Sequence, residues 1–162
     1  MILIVLGTWN MPFPRPLAEI ESLIDLGLIK DEIIVQSGFT KFKSKYLNLT
    51  PFFEQTILED LYKKAEFIVC QAGIGSIMMG LKNNKKIISI ARKRIYNEHI
   101  DNHQEDILTS FSKQKLVLKW DDKNNLMSQI NLLPGFTPRK YQFSEEQISK
   151  EIINFINSKL KS

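Results

Sequence analysis

Short runs of apolar residues alternate along the chain with longer stretches in which apolar residues recur every three or four positions. The first run covers residues 1–6 and ends at Gly7, a pattern that predicts a buried strand. The same pattern predicts further strands at residues 32–36, 47–53, 67–70, 86–90 and 115–119, with the weakest signal at 47–53. The other stretches predict amphipathic helices, whose apolar faces comprise Leu17, Ile20, Ile24 and Leu28; Leu58, Leu61, Tyr62 and Ala65; residues 75–81; Ile100, Ile107, Leu108 and Phe111; and Leu126, Ile130 and Leu133.

Buried strands that alternate with amphipathic helices are typical of a parallel sheet covered by helices on both faces. The predicted fold class is therefore α/β, a doubly wound, mainly parallel, six-stranded Rossmann-like sheet. No internal repeat or linker divides the sequence, so residues 1–162 are predicted to form one domain. Its last element is a predicted helix over residues 144–160, with Ser144 as the N-cap and acidic residues in the first turn.

The composition is that of an ordinary globular domain, with 162 residues, 43% apolar positions and a net charge of +4. The single cysteine, Cys70, excludes an internal disulfide, favours a reducing cytoplasm and is predicted to be a core residue. No stretch approaches the roughly 18 apolar residues of a membrane span. The small basic excess fits an anionic ligand or membrane surface, and nucleic-acid binding is not favoured because no recognition motif accompanies it.

The most informative segment covers residues 67–77, in which a predicted strand leads through glycines into a helix. At the carboxyl end of a parallel strand, Gly73 and Gly75 would let a diphosphate approach the backbone, and Ser76 with the first-turn amides would donate to it. A tight turn that simply needs glycine is the alternative interpretation. The segment lacks the lysine of a Walker loop and has Met78 where a dinucleotide-binding motif has its third glycine.

A second segment, residues 97–104, contains both histidines of the chain together with acids and amides. As a metal site, His99 and His103 would share one helical face, but no glutamate of the H-E-x-x-H pattern and no cysteine cluster supports it. As a ligand loop, the segment would hydrogen-bond the hydroxyls of a sugar or ribose. A helix start rich in capping residues is the third interpretation. Similar polar strand ends occur at Gly7-Thr8 and at Gln36-Ser37-Gly38, where turns are the alternative.

These segments together resemble one family. Gly7-Thr8, Pro12-Phe13 and Arg15 resemble its opening V-G-T-x-x-x-P-F-x-R, and Gln36-Ser37-Gly38 resembles its Q-[ST]-G. Residues 72–76 are similar to its G-G-x-G-[ST] loop, and residues 98–104 to E-H-x-[DN]-[DN]-H-Q, the most specific of the motifs. The family is the glycosyltransferase family 28 C-terminal domain in its stand-alone form, which includes the cytosolic subunit of the dolichol-linked UDP-GlcNAc transferase and bacterial capsule and exopolysaccharide transferase subunits.

The resemblance implies the C-terminal, donor-binding half of a GT-B glycosyltransferase, with a UDP-sugar as donor substrate, no cofactor and no metal. In such an enzyme, an acid or base of the partner, or a side chain of this chain such as His99 or His103, would deprotonate the acceptor hydroxyl. The donor would lie against the glycine loop, with residues 98–104 around the ribose, phosphate and sugar hydroxyls. The implied donor-binding residues are Gly7, Thr8, Arg15, Gln71, Gly73, Ile74, Gly75, Ser76, Glu98, His99, Asn102, His103 and Gln104.

The resemblance also implies a membrane-associated partner that binds the lipid-linked acceptor and recruits this cytoplasmic chain to the inner face of the membrane. Candidate docking elements are the apolar stripe of residues 148–155 and the Pro12-Phe13 loop. The sequence departs from the family where Gln71 replaces a frequent histidine and Ala72 replaces a glycine. This departure leaves open a non-catalytic enhancer or binding subunit of a partner glycosyltransferase, while a Rossmann-type nucleotide enzyme unrelated to sugars would leave residues 98–104 unexplained.

Overall fold

A computed structural model of the protein describes residues 1–141, and this part of the chain contains six strands and five α-helices, which alternate except that β3 follows β2 directly. The strands are β1 (Ile2–Val5), β2 (Ile33–Gln36), β3 (Leu49–Thr50), β4 (Phe67–Gln71), β5 (Lys86–Ile90) and β6 (Leu118–Trp120). The helices are α1 (Arg15–Asp25), α2 (Gln55–Lys64), α3 (Ile74–Lys82), α4 (His103–Lys113) and α5 (Leu126–Leu132), and a short 3₁₀ turn covers Arg94–Tyr96.

The strands form one parallel sheet in the order β3-β2-β1-β4-β5-β6, which confirms the predicted doubly wound Rossmann-like fold. Chain order runs outward from β1 to one edge and from β4 to the other, so the connection direction reverses between these two central strands. Ligands of doubly wound sheets bind at the carboxyl ends of the strands that flank such a reversal.

Both faces of the sheet are buried, because successive residues of β1 contribute to two different apolar clusters. Ile2, Ile4 and Leu6 pack in the cluster that also holds Leu17 and Ile20 of α1. Leu3 and Val5 pack in the opposite cluster, together with the apolar sides of α2, α3 and α4. This double burial explains why the strands read as continuous apolar runs.

The apolar stripe of α1 is shorter than predicted, because the helix ends at Asp25 and Leu28 is exposed. Gly27 adopts a left-handed conformation with φ of +69°. Its N–H donates to Ile24 O, and the Leu28 N–H donates to Leu23 O, the pair of hydrogen bonds that defines a Schellman C-cap. The periodicity of apolar residues therefore continues past the residue that terminates the helix.

The prediction for α4 is wrong at its beginning, since the helix starts at His103 and Ile100 is an exposed residue of the preceding loop. His99 consequently lies outside the helix, so the two histidines do not share a helical face. The sixth strand also begins later than predicted, at Leu118, because Lys115 has a left-handed φ of +56° that a strand does not accommodate.

Cys70 is fully buried in β4, and burial raises the pKa of its thiol to about 12, which confirms the prediction of a core residue. No helix within residues 1–141 is long and apolar enough to cross a membrane. The predicted helix over residues 144–160 lies outside the described residues.

Candidate functional site

The loops that follow β1, β4 and β5 meet at the carboxyl edge of the sheet. These loops, together with the last residue of β4 and the first turns of α1, α3 and α4, carry the predicted donor-binding residues. Gly7 and Thr8 follow β1, Gly73 follows β4, and residues 91–102 follow β5. These are the strands on either side of the reversal and one neighbour of β4. Their meeting point is therefore the place where the fold itself predicts a ligand.

The glycine loop leads directly into α3, whose N-cap residue is Gly73. Gly73 has no side chain, and no side chain of the described residues caps this helix end. The backbone N–H groups of the first turn are consequently free of the usual intramolecular acceptor. Together with the positive end of the helix dipole, they form a setting suited to a phosphate group. The Ser76 side chain lies in the same turn and is partly exposed.

The Gln71 side chain fills the space between the first and fourth strand ends. A Cβ atom built on Gly7 would lie 1.8 Å from Gln71 Nε2, and one built on Gly73 would lie 3.0 Å from the same nitrogen. Gly7 also has φ of +78°, which L-residues rarely adopt. The Gln71 amide therefore fits only because Gly7 and Gly73 have no side chains, and the three residues pack directly against one another.

Arg92, two residues after the end of β5, connects the three loops through its guanidinium group and is 1% exposed. Its Nε donates to Gln71 Oε1 at 2.6 Å, and its Nη2 donates to Leu6 O at 2.9 Å. Its Nη1 donates to Met11 O at 2.7 Å and to Glu98 O at 3.1 Å. One side chain thus fixes the loops after β1, β4 and β5 relative to one another.

Within residues 1–141, the positive charge of Arg92 is stabilised by dipoles and an aromatic ring rather than by a direct carboxylate contact. The guanidinium carbon lies 4.6 Å from the centre of the Phe13 ring. Burial lowers the pKa of Arg92 to about 10, and attraction to Glu98 limits the decrease. The side chain remains charged at neutral pH, and it places a positive charge behind Gly7 and the Gln71 amide.

Arg15 and Glu98, both predicted to bind the donor, bind each other. Arg15 Nε donates to Glu98 Oε1 at 3.0 Å and Nη2 donates to Oε2 at 2.8 Å, while the Lys93 N–H donates to Oε2 at 3.0 Å. Glu98 is 2% exposed. Both of its oxygens have partners in the chain, so the visible role of this pair is to fix the loop after β5; donor contact by Glu98 stays a prediction.

Gln104 and Asn102 also hold the backbone of this loop. The buried Gln104 side chain accepts a hydrogen bond from the Arg92 N–H at 3.1 Å. The exposed Asn102 accepts one from the Arg94 N–H at 2.9 Å. The most specific family motif therefore includes residues whose side chains shape the loop from within.

The two histidines meet around Asp101 at the start of α4. Trp9 stacks on His99 with ring centroids 4.6 Å apart, and the His103 ring contacts His99 edge-on at 4.5 Å. Asp101 Oδ1 lies 3.1 Å from His99 Nδ1 and also contacts His103 Nδ1. Because Trp9 and His103 enclose His99, His103 is the more accessible imidazole.

Electrostatics favour a neutral His99. Burial lowers the pKa of His99, and repulsion from His103 and Arg92 lowers it further, against the attraction of Asp101. Burial raises the pKa of the Asp101 carboxyl, but hydrogen bonds from the His103 N–H and ring outweigh this effect. The pKa of Asp101 is therefore below its usual range. A neutral imidazole can accept a proton, which is the chemistry expected of a general base.

Within residues 1–141, His99, Asp101 and His103 form a group that could hold a metal ion, because their donor atoms lie within 4.8 Å of one another. Two imidazoles and one carboxylate suit zinc, with an open fourth position. In this structure the carboxylate instead accepts hydrogen bonds from the His103 backbone and contacts both rings. That the sugar donor binds without a metal ion stays a prediction.

A cavity of about 230 Å³, lined by both charged and apolar side chains, opens next to the Arg15–Glu98 pair, between the carboxyl ends of β5 and β6. Ion pairs cross it, with Lys93 Nζ 2.6 Å from Asp122 Oδ2 and 3.7 Å from Glu105 Oε1. None of the residues of the glycine loop lines it. The cavity therefore adjoins the candidate site without including the predicted phosphate position.

The aromatic ring of the Pro12-Phe13 loop, one of the two predicted docking elements, is not accessible to a partner. Phe13 is fully buried, with Arg92 over its ring at 4.6 Å and Arg15 at 5.5 Å, so only Pro12 of that loop is exposed. The exposed apolar side chains near the site are instead Trp9, Ile95, Tyr96 and Ile100. The other element, residues 148–155, lies outside the described part of the chain.

Arg92 is the residue whose importance the sequence did not reveal, because it stands in a basic Arg-Lys-Arg run that resembles a solvated surface. The available signal was its position two residues after the continuous apolar run that ends at Ile90. A cation so close to a buried strand has little access to water and needs several hydrogen-bond acceptors.

Comparisons with solved structures agree with this fold. The NMR solution structure of ALG13 aligns with a TM-score of 0.59 and 15% identity over 93% of each chain. The crystal structure of the glycotransferase of kitacinnamycin gives 0.57 and 14% over 80% of this chain and 32% of that one. The glycosyltransferase SnogD from Streptomyces nogalater gives 0.52 and 13% over 82% and 34%. A search of curated proteins gives no significant match.

At these identities the solved structures establish a shared fold, and this chain spans about a third of the length of two of them. Membership of a family is established separately by sequence. The family model described as the glycosyltransferase family 28 C-terminal domain matches residues 2–158. The chain therefore belongs to the glycosyltransferase family 28 C-terminal domain family, as its motifs predicted.

Proposed function

We propose that this chain is the donor-binding subunit of a two-component glycosyltransferase that moves a sugar from a UDP-sugar to a lipid-linked saccharide in capsule or exopolysaccharide synthesis. The observation that carries the proposal is the uncapped amino end of α3 at the glycine loop, with the buried Arg92 cation behind it. Free backbone N–H groups and a fixed positive charge favour a diphosphate over a neutral ligand.

In the proposed reaction, the acceptor oxygen forms a bond to the anomeric carbon while the bond from that carbon to the diphosphate breaks. Negative charge then increases on the departing diphosphate, and the acceptor hydroxyl loses its proton. The α3 amides and the Ser76 hydroxyl would donate to the diphosphate, and preorganised donors of this kind stabilise a transition state. A base of the partner, or His103 or His99 of this chain, would take the proton.

The partner supplies the acceptor site in this proposal. The chain shares its fold with about a third of two larger glycosyltransferases and with nearly all of ALG13. The partner would be membrane-associated, would hold the lipid-linked saccharide and would recruit the chain to the inner face of the membrane. No metal or other cofactor is part of the proposal.

Calorimetric titration with UDP tests the donor site, and Gly75→Ala is the informative variant. A Cβ on Gly75 would meet no heavy atom within 4 Å, so the variant should fold normally and gain up to about 1 kcal/mol from the better helix former. The added methyl group lies in the first turn of α3, where a diphosphate must approach the backbone. We expect UDP affinity to fall by about tenfold or more, which corresponds to about 1.4 kcal/mol.

Gly135→Ala is the matched control, because its Cβ would lie 4.0 Å from Leu132 O and far from the predicted site in sequence. It should bind UDP like the unchanged chain, with or without a chelator. Absence of UDP binding by the unchanged chain would contradict the proposed function. Equal UDP affinity of Gly75→Ala and Gly135→Ala would remove the α3 amino end from the donor site.

An assay of sugar transfer separates the enzyme subunit from the non-catalytic enhancer. The chain, the partner and their mixture are each given a UDP-sugar and a lipid-linked acceptor. We expect transfer by the mixture, and its loss when a chain variant that does not bind UDP replaces the original. Full transfer with such a variant would assign the chemistry to the partner and leave this chain as an enhancer.

A further inference from the structure

We propose that Arg92 is a positioning residue that fixes the orientation of the Gln71 amide, so that Gln71 Nε2 serves as a permanent hydrogen-bond donor to the diphosphate of the bound nucleotide. This inference rests on the proposed function, since it assigns a role within the same donor site. It concerns two residues that the sequence treats separately, 21 positions apart.

The orientation of the amide follows from the chemistry of its partner. Arginine carries five N–H donors and no acceptor, so the atom that lies 2.6 Å from Arg92 Nε must be the oxygen of the Gln71 amide. The remaining Arg92 donors bind the carbonyl oxygens of Leu6, Met11 and Glu98. The guanidinium is thereby held in place, and a rotation of the Gln71 amide by 180° would bring two donors face to face.

The nitrogen of the amide consequently points away from Arg92, toward the glycines at the ends of β1 and β4. It lies 1.8 Å from the position of a Cβ on Gly7 and 3.0 Å from that of a Cβ on Gly73. Within residues 1–141, Nε2 donates to no acceptor, and Ser89 Oγ is the one buried side-chain polar atom without a partner. Nε2 is therefore an accessible donor beside the backbone that leads into α3.

The contact with Arg92 also makes Gln71 a better donor. A hydrogen bond from a charged group to the amide oxygen polarises the amide and increases the positive character of its N–H groups. A glutamine does not change its charge with pH, so this donor needs no protonation of its own. Orientation by a buried arginine therefore gives this chain a fixed donor at the position where the family often has histidine.

Gln71→Glu gives the sharpest test, because it is isosteric and its carboxylate would form an ion pair with Arg92. The protein should stay folded, but a negative oxygen would replace the Nε2 donor. We expect UDP affinity to fall by about 10- to 100-fold, the effect of losing a hydrogen bond to a charged group, and uridine affinity to stay unchanged. Gln114→Glu, at the C-terminal end of α4, is the control for the added charge and should change neither affinity.

The role of Arg92 is tested through the ratio of UDP to uridine affinity, measured by competition calorimetry. Arg92→Gln can donate or accept and no longer dictates the amide orientation, so we expect the ratio to fall about three- to tenfold. Arg92→Lys can only donate and should keep most of the ratio. In a Gln71→Ala background, Arg92→Gln should change the ratio no further.

A purely structural Arg92 would lower both affinities equally and would act additively with Gln71→Ala, and either result overturns the inference. If thermal melts show that the Arg92 variants do not fold, Gln71→Glu decides alone: retention of UDP affinity by this variant overturns the inference. An unchanged chain that binds neither UDP nor uridine would instead refute the proposed function.

Discussion

Replacing Gly38 by alanine should destabilise the protein by about 3 kcal/mol. Gly38 has φ of +58°, a conformation that costs an L-residue roughly 1–2 kcal/mol. In addition, the new Cβ would lie 2.2 Å from Gly7 O. That atom belongs to the backbone and cannot rotate away, and such overpacking costs about 1–3 kcal/mol. Chemical denaturation followed by circular dichroism measures the free energy of unfolding.

Gly27→Ala is the matched control for this prediction, because Gly27 has a similar φ of +69° and a Cβ there would meet nothing within 4 Å. It should lose only the conformational part, about 1 kcal/mol. The difference between the two variants isolates the contact between the β1 and β2 loops. If both variants lose the same unfolding free energy, the loop after β1 moves away from the new Cβ at little cost. That result would contradict the tight packing of Gly7 against Gln71.

Replacing Glu98 by alanine should cost about 3 kcal/mol of unfolding free energy. The variant leaves the Arg15 guanidinium without its carboxylate and the Lys93 N–H without its acceptor. Removing one partner of a buried ion pair typically costs about 3–5 kcal/mol, and the partial exposure of Arg15 places the expected value at the lower end. The 3₁₀ turn at residues 94–96 should lose protection from hydrogen exchange at the same time.

A double-mutant cycle with Arg15→Ala measures the pair itself and should give a coupling free energy of about 1–3 kcal/mol. Glu105→Ala is the control, since this partly exposed carboxylate lies 3.7 Å from Lys93 Nζ and should contribute less than about 1 kcal/mol. A Glu98→Ala variant as stable as Glu105→Ala would contradict a structural role. In that case the original prediction, direct donor contact by Glu98, would gain weight.

The family motifs contain two kinds of residue, those that contact a ligand and those that hold the ligand-binding loop in shape. Gly73 and Ser76 lie at an open helix end, where direct contact is physically reasonable. Glu98 and Gln104 are buried and bound within the chain. Substitutions at the two kinds of position should therefore differ in their effects, with lost affinity at the first and lost stability at the second.

The elements of the fold could be predicted because both faces of the sheet are buried. Continuous apolar runs then mark β1, β4 and β5 without ambiguity. Predictions failed where a single backbone conformation ended an element within an apolar pattern, as Gly27 does for α1 and Lys115 does before β6. Hydrophobic periodicity carries no information on a left-handed φ, and this limit accounts for the misplaced Leu28 and the late start of β6.

The sequence by itself determined the fold class, the glycine loop before α3 and membership of the family, because burial and local spacing are properties of consecutive residues. The tertiary structure decided how the candidate site is held together. The Arg92–Gln71 hydrogen bond joins positions 21 residues apart, and the Arg15–Glu98 pair joins positions 83 apart. Such contacts follow from the order of the strands in the sheet, which places distant loops at one edge, so no local pattern could reveal them.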